Sequence, residues 1–420
     1  MNVASMKKNR GKFLLVLLVV LASFSCKTEE IKLDHNQYEN SEDPKDNDEI
    51  ITLKENEILV IVDFKTTPNY AVSNFTNLKY DKQTVLNIEW DDGNQNCLDG
   101  LAVFNGGLAS NGINYTGNFF SDGCGNNLSY KGAVAVNGYN NYNMAEWGDD
   151  YPEKITYLQM KELISKGWDI ENHSLKHISL PNLTSAKQDL SEMNQLIFDR
   201  IGYVMNTLVV PTNFLYYMKA ASELGFISGT TQADLLKDGI TLYPSYAWNE
   251  NIELNKINET GFIGLNRAFN DNWSDTKALK EAINNTITSS SSNENKLIRI
   301  GTHNIQDIKN FANFITYINE ISKDKLWVTS MRELFEFRIV KQKTEKKEKL
   351  SRKKLVILLN QENIKEMIRW QDLTLKIESD AEIASINIKG SDSNSFNLKT
   401  GLVNIFKQKR SFKSANLLDN

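Results

Sequence analysis

The chain has 420 residues, room for two or three domains, and its 40% hydrophobic content with 7 Trp, 15 Tyr and 19 Phe is enough to build a core. A formal net charge of −5 excludes the basic field that draws nucleic acid, so no nucleic-acid partner is expected. No long repeat period is apparent along the chain.

Residues 1–25 are set aside before any fold reasoning. Lys7, Lys8, Arg10 and Lys12 form a basic region, and Phe13 to Ala22 is an apolar stretch short for a bilayer span. Small residues then lead to Ser25-Cys26, and a polar, acidic segment follows. The arrangement resembles a bacterial lipoprotein signal with Cys26 as the lipidated residue; ordinary secretion with cleavage nearby is the alternative. Either way the mature protein leaves the cytoplasm as a periplasmic or surface protein, where disulfides persist. Cys97 and Cys124 then either form one bridge or stay as free thiols. Residues 26–50 are rich in Asp, Glu and Asn without hydrophobic periodicity and read as an acidic tether. The start of that stretch, Lys27-Thr28-Glu29-Glu30, resembles tethers of lipoproteins sent to the outer cell surface of diderm bacteria.

Residues 51–340 alternate strands and helices. Ile58 to Val62 and Val85 to Trp90 are strand-like, and the second delivers Asp91-Asp92-Gly93 at its carboxyl end. Phe120 to Asn127 is a Gly/Asn-rich insertion that either lines a sugar cleft or is an ordinary long loop. Thr156 to Lys166 has helical spacing and stops at Gly167; Trp168 to Glu171 is a short strand carrying His173 and His177. Helices follow over Ser185 to Ile201 and Phe214 to Leu224, with a strand at Thr207 to Val210 between them, stopped by Pro211. Ser274 is placed to cap a helix running through Ile283, Leu297 to Gly301 is a strand before His303, and Asp307 to Ile321 is a helix. Trp327 is either core or a sugar platform, and Ser330 to Glu333 fits a capping box. The alternation predicts an α/β fold with a mainly parallel sheet, whose reactive groups gather on loops at the carboxyl ends of strands. Asp91, Asp92, His173, His177, Pro211 and His303 all fall at such ends.

These residue types make one chemical set. Two imidazoles and a carboxylate supply three ligands for a divalent metal, zinc most naturally, and leave an open position. The second carboxylate is then free to take a proton from water, and a histidine on another loop can protonate a leaving group.

Trp90-Asp91-Asp92-Gly93 and His173-Ser174-Leu175-Lys176-His177 resemble the first two motifs of the polysaccharide deacetylases, the NodB-homology proteins of carbohydrate esterase family 4. Val209-Val210-Pro211-Thr212-Asn213 is similar to their third motif region, and Ile300-Gly301-Thr302-His303 stands where the last one falls. The resemblance spans roughly residues 80–335, and Phe120 to Asn127 and Lys325 to Glu333 resemble a divergent lipoprotein branch. It implies a distorted (β/α) barrel, a divalent metal on Asp92, His173 and His177, Asp91 as base, His303 as acid and the backbone N–H of Thr212 in the oxyanion site. Val209 stands where the family has a base-steering Arg, Thr212 where it has an aromatic residue, Gly301 where it has Leu, and Asn270-Asp271-Asn272-Trp273 only loosely matches its fourth motif. Arg267 is the candidate replacement for the missing guanidinium, its other reading being a surface arginine.

Residues 341–352 are a Lys/Glu run read as a charged linker, with clustered short strands at Lys354 to Leu359, Leu373 to Ile377, Ile383 to Ile388 and Leu402 to Ile405. Residues 353–410 are thus expected to form a small antiparallel β-domain. The functional expectation is a membrane-anchored, metal-dependent hydrolase that removes acetyl groups from a polysaccharide or oligosaccharide, N-acetyl rather than O-acetyl. The alternative is a glycan-binding lipoprotein whose deacetylase site has decayed.

Overall fold

The computed structural model describes residues 30–34, 48–138, 153–214, 216–231, 242–243, 252–254, 257 and 261–418. The leader and Cys26 lie outside the described residues. Met1–Lys54 is a unit of its own; within the stretch read as a tether, Glu30–Asp34 and Asp48–Thr52 pair as antiparallel strands.

Eight parallel strands form the heart of the second unit: β1 Thr84–Trp90, β2 Ala133–Val136, β3 Asp169–Asn172, β4 Thr207–Val209, β5 Ser228–Thr231, β6 Ile263–Asn266, β7 Lys296–Thr302 and β8 Leu326–Val328. Pairing runs β1-β2-β3-β4-β5-β6. Beyond β6 the chain kinks at Arg267, and Ala268–Phe269 pairs with β7, which pairs with all of β1. The circuit therefore nearly closes. It is distorted because β2 and β8 share one flank of β1: β8 pairs with Thr84 to Leu86 and β2 with Glu89 and Trp90. This is the mainly parallel α/β fold expected from the strand–helix alternation, in the distorted barrel form that the resemblance implied.

Alternation along buried strands assigns each side chain a face. Every residue of β1 is buried. Trp90 points outward against Phe104, Trp168 and Phe311, with ring centroids 5.8, 5.1 and 6.1 Å away. Glu89 faces the interior, and the chain then leaves the barrel at Asp91.

The helices around the barrel start at local signals. Thr156 and Gln159 close a full capping box on Tyr157–Ser165; Asn182 caps Leu183–Ile201, Asp307 caps Ile308–Ser322 and Ser330 caps Met331–Lys343. Ser274 does not cap: it turns back to the Asn272 side chain, and the helix begins only at Lys277. Phe214 likewise precedes its helix, because Pro211–Asn213 forms a 3-10 turn and the helix starts at Tyr216.

Two four-stranded antiparallel sheets complete the unit. One has the order Glu345–Ser351, Lys354–Asn360, Glu57–Phe64, Ile383–Lys389; the other Ser393–Asn397, Leu402–Phe406, Leu373–Ser379, Ala71–Phe75. All four strands expected after residue 353 are present. The strand at Ile58 to Val62 belongs to these sheets rather than to the barrel, so the barrel is inserted into a β-structure whose first two strands precede it. The Lys/Glu run read as a linker divides between the end of helix Met331–Lys343 and the strand Glu345–Ser351. That strand lies at a sheet edge, where a charged face is tolerated and blocks further pairing.

The segment Phe120 to Asn127 does not reach the carboxyl ends of the barrel strands. It forms a hairpin, Phe119–Ser121 with Asn127–Ser129, against the antiparallel sheets: Asp122 accepts from Ser395 at 2.6 Å and Asn397 donates to the Gly123 carbonyl at 3.0 Å. Trp327 is fully buried beside Tyr80 and Phe337, which settles it as core. Cys97 and Cys124 are both free thiols.

Buried charge joins barrel and sheets. Lys79 donates to Glu333 at 2.6 Å, on the last helix, and to Asp372 at 2.5 Å, just before a sheet strand; Lys131 reaches the other Glu333 oxygen at 2.8 Å. Burial alone would push the Glu333 carboxyl up, but Lys131 and Lys79 outweigh it and hold the group well below the ordinary carboxylate range. Removing one member of such a network strands the others without water. Lys79→Met is therefore expected to lower unfolding stability by about 3–5 kcal/mol in denaturant titration; a loss under about 1 kcal/mol would show that the network does not hold the parts together.

Candidate metal centre and its surroundings

The histidine pair sits on a turn built by its neighbours. At the end of β3, Asn172 points outward and donates to the Leu190 carbonyl at 3.0 Å and the Asn194 side chain at 3.1 Å, both on helix Leu183–Ile201. Its own oxygen accepts from Ser174 N at 2.8 Å, and Asp189 accepts from Leu175 N at 2.9 Å. Ser174 Oγ then accepts from His177 N at 2.9 Å. Ser174 and His177 have left-handed backbones, with φ 66° and 53°, so the chain doubles back and both imidazoles face the same point.

The Asp91-Asp92 pair arrives from β1. Asp91 N donates to the Thr302 carbonyl at 2.9 Å, which ties the pair to β7. Asp92 and Gly93 are both left-handed, φ 63° and 56°, and this turns the Asp92 side chain toward the histidines while Asp91 stays in the interior, 3% exposed. Asn137, just past β2, donates to Asp92 Oδ1 at 3.3 Å, and Lys154 donates to the Asp92 carbonyl at 3.1 Å.

Asp92, His173 and His177 form a divalent-metal-binding triad. His177 Nε2 is 3.1 Å from His173 Nε2 and 3.2 Å from Asp92 Oδ1, and His173 Nε2 is 3.4 Å from the same oxygen. Tetrahedral bonds of about 2.1 Å give a ligand–ligand edge of roughly 3.4 Å, so the triangle fits one small cation. The tautomer agrees. His173 Nδ1 lies 2.8 Å from the Val209 carbonyl, which can only accept, so Nδ1 carries the proton and Nε2 is left for the shared point. Burial pushes the Asp92 carboxyl up, but the His173 hydrogen bond and both imidazoles outweigh it and hold the group below the ordinary range. Burial, then the charge of His173, pushes His177 down to about 4. For His173 burial acts downward, and its hydrogen bond to Asp92 together with the charge of Asp91 wins and raises it. The three ligand atoms thus face one shared point, the position a metal takes.

Behind the triad, charge fills the barrel interior. Arg267, 3% exposed, donates from Nη1 to Glu89 at 2.9 Å and from Nη2 to Asp91 Oδ2. Arg299, on β7, donates to the other Glu89 oxygen at 2.5 Å. Glu171, on β3, is pushed well above the ordinary range by burial and then by the charge of Glu89. The other Asp91 oxygen, Oδ1, is buried without a hydrogen-bond partner.

His303 follows β7 and is 45% exposed. Asp271 grips it twice, accepting from His303 N at 2.6 Å and facing Nδ1 at 3.0 Å. That hydrogen bond raises the His303 pKa against partial burial. Phe269 packs on its ring at 4.5 Å between centroids. Thr212 stands at the mouth, exposed, with a left-handed backbone at φ 52° and its hydroxyl 3.4 Å from Ser179 Oγ. Asp91, Asp92, His173, His177, Arg267, Thr212 and His303 all come from the carboxyl ends of barrel strands or the segments leaving them. The sequence reading missed Glu89, Arg299 and the grip of Asp271. A signal existed for the first two, a charged residue inside each of two otherwise apolar strand runs.

No family model matches this chain, and no curated protein matches it. Solved structures align with part of it. The chitin deacetylase of the fungal pathogen Colletotrichum lindemuthianum shares 9% identity over 60% of this chain and 87% of that one, TM-score 0.34. A CE4 family pseudoenzyme from Bacillus anthracis shares 12% over 63% and 67%, TM-score 0.33. The BpsB deacetylase domain from Bordetella bronchiseptica shares 14% over 51% and 72%, TM-score 0.26. Likeness at this level decides nothing about activity, which has to be argued from the chain's own residues.

The triad makes a binding prediction. Zinc at a hundredfold excess over its Kd should stabilise the native protein by about 2.7 kcal/mol, and His173→Ala should abolish the effect. Calorimetry with and without zinc checks it; a wild-type melting temperature indifferent to zinc would refute the triad as a metal site.

Proposed function

We propose that the protein is a metal-dependent deacetylase of glycans, acting on N-acetyl groups in preference to O-acetyl esters. The observation that carries this reading is the juxtaposition of the Asp92–His173–His177 triangle with a second, buried carboxylate at Asp91 that keeps one oxygen unpaired. A divalent metal at the triad, zinc by its N/N/O donor set, would supply Lewis-acid polarisation of an acyl carbonyl and ease the deprotonation of water.

The chain's own groups do the rest. Asp91 Oδ1 takes the proton of the attacking water, while Arg267 on Oδ2 fixes the carboxylate plane. The backbone N–H of Thr212 serves to stabilise the oxygen that gains charge as the carbonyl carbon becomes tetrahedral. His303, with Nδ1 committed to Asp271, carries its second proton on Nε2 and gives it to the leaving nitrogen as the C–N bond breaks. Acetate and a free amine result. A dedicated acid matters most when the leaving group is an amine, and this supports the N-acetyl preference.

The basic and apolar leader ending at Ser25-Cys26 supports a lipid anchor at Cys26 and a periplasmic or outer-surface location, where acetylated polysaccharide is the accessible partner.

Two outcomes test the reading. Acetate release from N- and O-acetylated oligosaccharides in the presence of zinc should require Asp91, with Asp91→Asn losing at least ~100-fold in kcat while zinc stays bound. No release from any member of the panel by the wild type would favour a glycan-binding protein instead. The second outcome is a pH shift. His303 works in its protonated form, so kcat/KM falls as pH rises through its pKa. Asp271→Asn removes the partner that raises this pKa, and the alkaline limb should move to lower pH. An unmoved limb would mean that His303 is not the acid.

A further inference from the structure

Asp91 is steered by a guanidinium that does not come from the loop after β4. Arg267 sits at the kink between β6 and Ala268–Phe269, and its side chain crosses the barrel interior to reach Asp91. A long side chain holding a base with one nitrogen can swivel about its own bonds. Here the second nitrogen is held as well: Nη1 donates to Glu89 at 2.9 Å, and Glu89 is fixed in turn by Arg299 at 2.5 Å. Glu89 is the last inward-facing residue of β1 and Asp91 follows the strand end directly, so both carboxylates lie within reach of one guanidinium. The guanidinium bridges them.

The stem of Arg267 has one path. A Cβ at Gly301 would lie 2.5 Å from Arg267 Nε and 2.6 Å from its Cζ, closer than real Cβ contacts come. It would also lie 2.7 Å from the Phe269 ring, which packs beside the guanidinium on the other side, its centroid 5.4 Å from Cζ. Any side chain at 301 therefore competes with Arg267 for the same space, and neither Phe269 nor the β7 backbone can withdraw without breaking the barrel seam.

We infer that Glu89 and Gly301 are positioning residues for the base: Glu89 fixes the rotation of the Arg267 guanidinium, and Gly301 is the space through which it reaches Asp91. The inference rests on the reading of Asp91 as base, but the placement of Arg267 can be tested without turnover. Val209, Gly301 and Arg267 are then parts of one arrangement: the steering group enters from β6, so none is needed at 209 and no side chain is tolerated at 301.

The experiment uses the full-length protein with Gly301→Ala, Glu89→Gln and Arg267→Ala, and the double variant Gly301→Ala/Arg267→Ala. In each single variant kcat should fall by about tenfold to a hundredfold with KM changed by no more than about twofold and zinc affinity unchanged, because only the reacting geometry is disturbed. The double variant should be no worse than Arg267→Ala alone, since both act through one side chain. Additive losses, or a Gly301→Ala enzyme with wild-type kcat, would overturn the inference. Independently of activity, the Nε–H resonance of Arg267 in 1H–15N spectra should shift in Gly301→Ala and in Glu89→Gln. Glu89→Gln is nearly isosteric and guards against a folding defect at 301. An unshifted resonance in both variants overturns the inference. A shifted resonance in a protein whose wild type releases no acetate would support the placement while removing the deacetylase reading.

Discussion

The interior of the barrel has to balance its own charge, and the candidate site depends on how it does so. Glu89, Asp91 and Glu171 project inward with Arg267 and Arg299, all five nearly inaccessible to water. Ions in such a place must be paired, since burying an unpaired charge costs several kcal/mol. Burial and then the charge of Glu89 push the Glu171 carboxyl well above the ordinary range, which lessens the negative charge the two guanidinium groups have to meet. Asp91 is thus held by the whole interior arrangement rather than by Arg267 alone, since Arg267 grips Glu89 as well and Arg299 fixes Glu89 in turn.

Much of the site could be read from residue types and spacing. Asp91-Asp92, His173 with His177, and His303 each stand at the end of a strand, and strand ends are where a parallel barrel collects its loops. The partners of those residues were harder to see. Period-2 alternation says that Glu89 and Arg299 face inward, but their mutual contact depends on β1 and β7 being neighbours, separated by more than two hundred residues of chain. Arg267 could be named as a candidate, but only its burial and its reach to Asp91 decide against a surface arginine, and both depend on where the chain passes from one strand segment to the next. Asp271 was visible only as part of a blurred motif, and its grip on His303 needs the loop after Phe269 to fold back along β7.

The same non-locality explains the sheets. Strand character at Ile58 to Val62 is evident from composition, yet composition does not name a sheet, and this strand pairs with residues 354–360 and 383–389. The chain thus begins and ends the β-structure on either side of the barrel. Helix Met331–Lys343 makes the junction: almost wholly buried, it carries Arg332, Glu333 and Glu336 inward, where an exposed helix would turn them to solvent. Glu333 takes Lys79 and Lys131, while Glu336 accepts from the backbone of Arg369 and Trp370 at 2.9 and 2.7 Å. A helix read by its amphipathic stripe would be misjudged here, since its charges are its contacts.

Strain at the metal centre is held by the scaffold around it. Asp92, Ser174, His177 and Thr212 all have left-handed backbones without being glycine, and each such residue costs on the order of 1 kcal/mol or more. A chain keeps several of them together only where surrounding bonds over-determine the turn. Asn172 and Asp189 do this for the histidine turn from β3 and the helix beneath it, and the Thr302 carbonyl does it for Asp91 from β7. The strain is therefore offset within the scaffold, through bonds that involve no ligand. The three donors of the triad stand within about 0.3 Å of a tetrahedral edge. The bonds just behind the ligands, rather than the ligands themselves, decide how well that geometry is kept.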